Sequence, residues 1–149
     1  MSSWLGIDHG TKRIGVAVGD TVSGIATPLE VIPAQPLDQA IRRIGELARQ
    51  YAVEGIVVGL PMNMDGSEGS QAALAREIAE QLTEGIGLPV RLFDERLSSF
   101  AADQALAGLL TRKGKKARQD ALAAATMLQD FLNSASADGP TTIPQAGEK

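Results

Sequence analysis

Trp4 to Asp20 reads W-L-G-I-D-H-G-T-K-R-I-G-V-A-V-G-D. An apolar run, Leu5 to Ile7, delivers Asp8; after a break at Gly10, a run rich in β-branched residues, Ile14 to Val18, heads back. This pattern predicts a β-hairpin with a carboxylate at its mouth. Gly6, Gly10, Gly15 and Gly19 leave the backbone bare where a bulky group could approach, and Lys12 and Arg13 bring two cations within reach of Asp8. Carboxylate, bare backbone and cations together suit a metal ion and a phosphate, although Asp and Gly also serve ordinary turns.

Working outward, Ile25 to Ile32 predicts a third strand, with Pro28 marking an edge position, so the chain opens as an antiparallel meander. Leu37, Ile41, Ile44, Leu47 and Ala48 recur at helical spacing. The run G-I-V-V-G-L at 55–60 has the look of a buried parallel strand, and a polar, mobile-looking loop, P-M-N-M-D-G-S-E-G, follows it at 61–69. Ala72 to Leu82 is a second helix, and P-V-R-L-F at 89–93 a further strand that stops at Asp94-Glu95-Arg96. Ser98 or Ser99 can cap another helix, with Phe100, Ala101, Ala105, Leu106 and Leu109 on its apolar face. The basic segment T-R-K-G-K-K-A-R-Q is expected to interrupt the helices, and a last helix to begin near Asp120. From Ser134 onward too little apolar surface remains to fold alone, which predicts a flexible tail over 135–149.

The order β-β-β-α-β-α-β-α-α is an α/β fold, a mixed five-stranded sheet of three antiparallel and two parallel strands flanked by helices. Right-handed crossovers would end the strands carrying Asp8, Leu60 and Phe93 on one edge, where Asp8, the 61–69 loop and Glu95 should meet.

Composition narrows the chemistry. With 149 residues and 44% hydrophobic content the chain supports one domain, and no apolar run approaches the ~20 residues that cross a bilayer. No cysteine and one histidine, His9, argue against thiolate chemistry, a structural zinc site and a Ser-His-Asp arrangement. A net charge of −4 argues against coating nucleic acid by overall charge, so phosphate contact would fall to the local patch of Arg112, Lys113, Lys115, Lys116 and Arg118. Asp8, Glu95 and Asp120, with no His or Cys to assist, would form a hard oxygen cage for Mg²⁺ or Mn²⁺ that could drive in-line attack on a phosphodiester. Asp120 equally suits a helix cap, and Glu95 could pair with Arg91 or Arg96.

Four blocks, G-I-D-H-G-T-K-R-I-G-V-A, G-L-P-M-N-M-D-G-S, D-E-R followed by L-S-S, and K-K-A-R-Q-D-A-L-A-A-A-T-M-L-Q, resemble in order those of the YqgF family, Holliday-junction-resolvase-like proteins described as pre-16S rRNA nucleases. The likeness covers about residues 4 to 132. It implies a ribonuclease H-like nuclease domain over 1–134, a cytoplasmic location and a divalent-metal hydrolase acting at pre-16S rRNA 5′ ends, with branched DNA as the related substrate. Partners would be structured RNA, branched DNA or ribosomal precursor particles, without a membrane, and the protein a monomer or weak homodimer. The family's acidic residues carry over onto Asp8, Glu95 and Asp120, with Asp94 as an accessory ligand and no role for His9. Lys12, Arg13, Arg96 and the segment from Arg112 to Arg118 would hold phosphates, and Asn63 and Asp65 on the loop would touch substrate. Two other classes stand beside this reading. G-I-D-H-G-T also resembles the first phosphate loop of actin-like ATPases, and a ribosome-assembly module could keep the fold without turnover.

Overall fold

The hairpin forms because β1 (Ser3–His9) alternates between two faces: Leu5 and Ile7 are fully buried in one core, while Trp4, Gly6 and Asp8 take the other side. In the computed structural model, which describes residues 3–10, 12–97, 113–138 and 142–143, β2 (Arg13–Asp20) pairs antiparallel with β1 from Ser3 opposite Asp20 to His9 opposite Ile14. The side chains of residue 97 and of 113–120, 135–138 and 142–143 are outside that description. The Gly10 amide donates to the Arg13 carbonyl at 2.8 Å and closes the hairpin tip. At its other end β2 turns through Gly24, whose φ of 72° suits glycine, into β3 (Ile25–Pro33). β3 is an edge strand as Pro28 predicts, and its register slips beside that proline, leaving Leu29 without an opposite residue.

Helix α1 (Leu37–Gln50) crosses to β4 (Gly55–Leu60), which is buried throughout and lies parallel to β1. Helix α2 (Ser70–Ile86), ended by Gly87 in the left-handed conformation, crosses to β5 (Val90–Asp94), parallel to β4. A single 3₁₀ turn, Glu95–Leu97, follows. Helix α3 (Lys113–Asp138) and a two-residue strand β6 (Thr142–Ile143), antiparallel to β5, complete the described chain. The sheet order is β3-β2-β1-β4-β5-β6, so the five expected strands take the expected arrangement and β6 extends the edge.

Two expectations change. The basic segment does not interrupt the helices from Lys113 onward: Lys113 to Arg118 form the opening turns of α3, and Asp120 lies inside that helix rather than at its cap. Helix α3 runs to Asp138, and Thr142–Ile143 pairs with β5. Local composition misleads in the basic segment because helix propagation is supplied by neighbouring turns. The helix expected from Ser98 or Ser99 through Leu109 lies outside the described residues, as does Arg112.

The two faces carry separate cores. Leu5, Ile7, Ile56, Val58, Leu60, Val90 and Leu92 pack under α1 and α2, while Ala17, Val57 and Phe93 meet Ala124, Leu128 and Phe131 of α3. Gly6 and Gly19 admit α3, not a ligand. A β-carbon on Gly6 would stand 2.9 Å from Leu128 Cβ, and one on Gly19 2.7 Å from Leu132 Cδ1. Gly6→Ala is therefore expected to cost about 1–3 kcal/mol by overpacking, read as a lower urea midpoint with unchanged slope.

Candidate metal centre

Strand alternation decides which carboxylates can meet. Along β4, Gly55, Val57 and Gly59 face α3, and each glycine is occupied from that side. The Trp4 ring fills Gly55, where a β-carbon would lie 2.5 Å from Cζ3; the Glu95 carboxylate fills Gly59, where a β-carbon would lie 2.8 Å from Oε1. Asp8, two residues beyond Gly6 on the same face of β1, reaches the same edge. The Glu95 carboxyl shares a side-chain hydrogen bond with that of Asp8 there, so residues 87 positions apart in sequence meet at the carboxyl ends of parallel strands.

Burial, the hydrogen bond with Asp8 and the negative charges of Asp8 and Asp94 push the Glu95 carboxyl up to about 9. Among the described residues, the charges that act on it are of its own sign. Two carboxyl groups pressed together are the condition that a bound divalent ion relieves, and oxygen donors suit Mg²⁺ or Mn²⁺. The residues therefore fit the implied metal. Among the described residues no group of three or more His, Cys, Asp or Glu gathers for an ion. Asp120, the third expected carboxylate, has its backbone in α3 and its side chain outside the described part.

The Asp94 carboxylate, expected as an accessory ligand, faces away from Glu95 and is held by Arg96. Asp94 ends β5 on the face of Val90 and Leu92, opposite Glu95. Arg96 Nε donates at 3.1 and 3.0 Å and Nη2 at 2.6 Å, while the Arg96 amide donates to Asp94 Oδ1 at 2.9 Å. The guanidinium holds the Asp94 carboxyl below its ordinary range. Arg96 is thus a cation anchored at the rim by Asp94, which takes two sides of its fork.

The 61–69 loop is internally tied rather than loose. Asn63 Nδ2 donates to Ser67 Oγ at 2.9 Å, and the Ser67 amide and hydroxyl donate to Asp65 Oδ1 at 2.9 and 2.6 Å. Backbone bonds from Asn63 to Ser67 and from Gly66 to Asn63, both 2.9 Å, close it further, and Glu68 pairs with Arg76 of α2 at 2.6 Å. Asn63 and Asp65 spend polar atoms on loop shape. Lys12 is exposed and Arg13 half-buried at the hairpin tip. Lys113, Lys115, Lys116 and Arg118 lie along the opening turns of α3, leading to Asp120.

His9 belongs to the other face. Its Nδ1 is buried without a hydrogen-bond partner among the described residues, and burial lowers its pKa against the raising influence of Asp8 and Glu77. Gly59 is the site residue the sequence reading passes over. Its signal is the second glycine of G-I-V-V-G-L, in phase with Gly55 and at the strand end nearest Asp8.

The sheet order and the paired carboxylates at its edge define a ribonuclease H-like fold of the resolvase type. Thermus thermophilus RuvC in complex with a Holliday junction substrate matches with a TM-score of 0.63 over 96% of this chain and all of that one, at 17% identity. The fowlpox virus Holliday junction resolvase matches with a TM-score of 0.54 over 89% of this chain and 99% of that one, at 13% identity. The chain belongs to the RuvX family, described as Holliday junction resolvase, whose model matches residues 2–134. Relatives named "Putative pre-16S rRNA nuclease" are 44% identical in Chloroflexus aggregans and 45% identical in Anaeromyxobacter sp. strain K. Each alignment covers 87% of this chain, with 92% and 95% of those proteins.

Proposed function

We infer that this protein is a divalent-metal-dependent nuclease that hydrolyses phosphodiester bonds in pre-16S ribosomal RNA, in the cytoplasm, with Mg²⁺ or Mn²⁺ as its ion. The observation that carries the reading is the half-buried Asp8–Glu95 contact at the carboxyl ends of parallel strands, two carboxyl groups meeting with no compensating positive charge acting on Glu95 among the described residues. The names of the RuvX-family relatives supply the substrate class.

Asp8 and Glu95 would hold the ion, with Asp120 as a third oxygen donor. Gly6 faces Leu128 and the Ala124 carbonyl of α3; one helical turn before Ala124 and two strand residues beyond Gly6 bring positions 120 and 8 to the same end. Bound there, the ion supplies Lewis-acid stabilisation of phosphate charge and makes water acidic enough to attack at neutral pH. Lys12, Arg13 and the cations of the 112–118 segment would take flanking phosphates. With 3% aromatic residues, base stacking is scarce and contact falls mainly on the backbone. Asn63 and Asp65 would act by holding the rim loop in shape.

The test is digestion of a pre-16S RNA transcript and a four-way DNA junction side by side, with Mn²⁺, Mg²⁺ or chelator. Metal-dependent RNA products are expected. Preferred cutting of the junction would reassign the substrate, and salt-sensitive binding without products would mark an assembly module. A second measurement follows from Glu95. Because the ion must displace its proton, Mn²⁺ affinity is expected to rise as pH increases toward about 9, with a proton released on binding. A pH-independent affinity would remove Glu95 from the ligand set.

A further inference from the structure

Glu95 sits between two residues that are paired with each other on the opposite face of the sheet. The Asp94 side chain is 10% exposed and accepts three contacts from the Arg96 side chain and one from its amide. That amide bond closes the turn through Glu95–Leu97 directly after the strand. Arg96 also reaches the rim loop: Nη2 lies 4.0 Å from Met62 Sδ, and Nη1 lies 3.8 Å from where a β-carbon on Gly66 would stand. The charge of Asp65 on the same loop acts on Arg96.

We propose that Asp94 and Arg96 are a positioning pair, which locks the turn that directs Glu95 onto Gly59 and Asp8 and docks the 62–66 loop beside it. The metal part of this inference rests on the nuclease reading of the Asp8–Glu95 pair. The physical reason is that a strand end gives no fixed direction to the next side chain. A bidentate Arg–carboxylate fork, largely withdrawn from water on the aspartate side, imposes one. Arg96 thereby fixes two parts of one rim, the ligand carboxylate and the substrate-facing loop. Lysine would not replace it, since a single ammonium cannot reproduce the planar fork.

The experiment compares the full-length protein with Asp94→Asn, Arg96→Gln, Arg96→Lys and the Asp94→Asn/Arg96→Gln double variant. It reads Mn²⁺ affinity without nucleic acid, amide exchange at Gly66 and Ser67, and cleavage kinetics. Each single neutral variant is expected to weaken Mn²⁺ binding about 10–100-fold, the usual scale for groups that orient a ligand. The same variants should speed exchange at Gly66 and Ser67 and lower kcat more than they raise KM. The double variant should be no worse than either single one, because both remove the same contact. Arg96→Lys keeps the charge and should show the same losses, which gives a second reading should Asp94→Asn fail to fold.

Folded variants with wild-type Mn²⁺ affinity and wild-type exchange would overturn the proposal. So would an Arg96→Gln effect confined to KM and salt dependence with Asp94→Asn silent, the pattern of a direct phosphate contact. A wild-type protein that binds no Mn²⁺ would defeat the nuclease reading instead. The exchange measurement would still decide whether the pair docks the loop.

Discussion

Asp8→Asn is expected to slow cleavage on the order of 10³-fold or more, the rate equivalent of several kcal/mol of lost Lewis-acid charge stabilisation. The same substitution should raise the melting temperature of the metal-free protein at pH 8. The direction follows from Glu95, whose carboxyl is moved from an ordinary 4.5 to about 9 in the folded chain by burial and by Asp8. A group raised in this way contributes stability that is complete below about 4.5 and is lost as pH rises through about 9. Asn at position 8 removes the nearest negative charge, so the gain should appear between those values and fade toward the acidic end. Thermal melts in chelator at several pH values, beside a cleavage assay, check both halves. Wild-type cleavage by the variant would end the assignment of Asp8 as a ligand.

Gly59→Ala is the second large effect, and it tests a residue with no functional group. A β-carbon there would stand 2.8 Å from Glu95 Oε1 and 3.0 Å from its Cδ, so the carboxylate must move. Displacement of a reacting group by about 1 Å can cost about 10²-fold in rate. Gly59 has no positive φ to preserve, and the strand should tolerate alanine. The expected result is a folded protein with weakened Mn²⁺ binding and cleavage reduced about 10²-fold. Gly55→Ala, two residues earlier on the same face, meets the Trp4 ring at 2.5 Å and should lower stability while leaving metal affinity in place. Equal metal affinity in Gly59→Ala and the wild type would show that Glu95 finds the ion from elsewhere.

Much of this architecture is legible in the residues alone. Alternation in Leu5 and Ile7, the continuous apolar run of β4 and the prolines at the edge are period and propensity signals carried by neighbours in sequence. They suffice for the meander, the two parallel strands and the edge at which Asp8 and Glu95 arrive. The failures lie where a distant part of the chain supplies the stabilising partner. Lys113 to Arg118 read as a loop by charge and glycine content, yet they continue a helix whose later turns are bound to the sheet through Ala124, Leu128 and Phe131. The 61–69 loop reads as loose because the bonds joining Asn63, Asp65 and Ser67 depend on conformation, not composition.

The order of residues sets which groups are on hand for chemistry: carboxylates and cations, no thiol, one imidazole, and a succession of elements that sends parallel strands to one edge. Which carboxylate meets which partner depends on the folded arrangement. Asp94 and Glu95 are adjacent and chemically alike, but successive residues at a strand end point to opposite faces, so one is neutralised by Arg96 and the other is pressed against Asp8. That assignment is a matter of face and distance, which a chain acquires only when its strands are brought side by side.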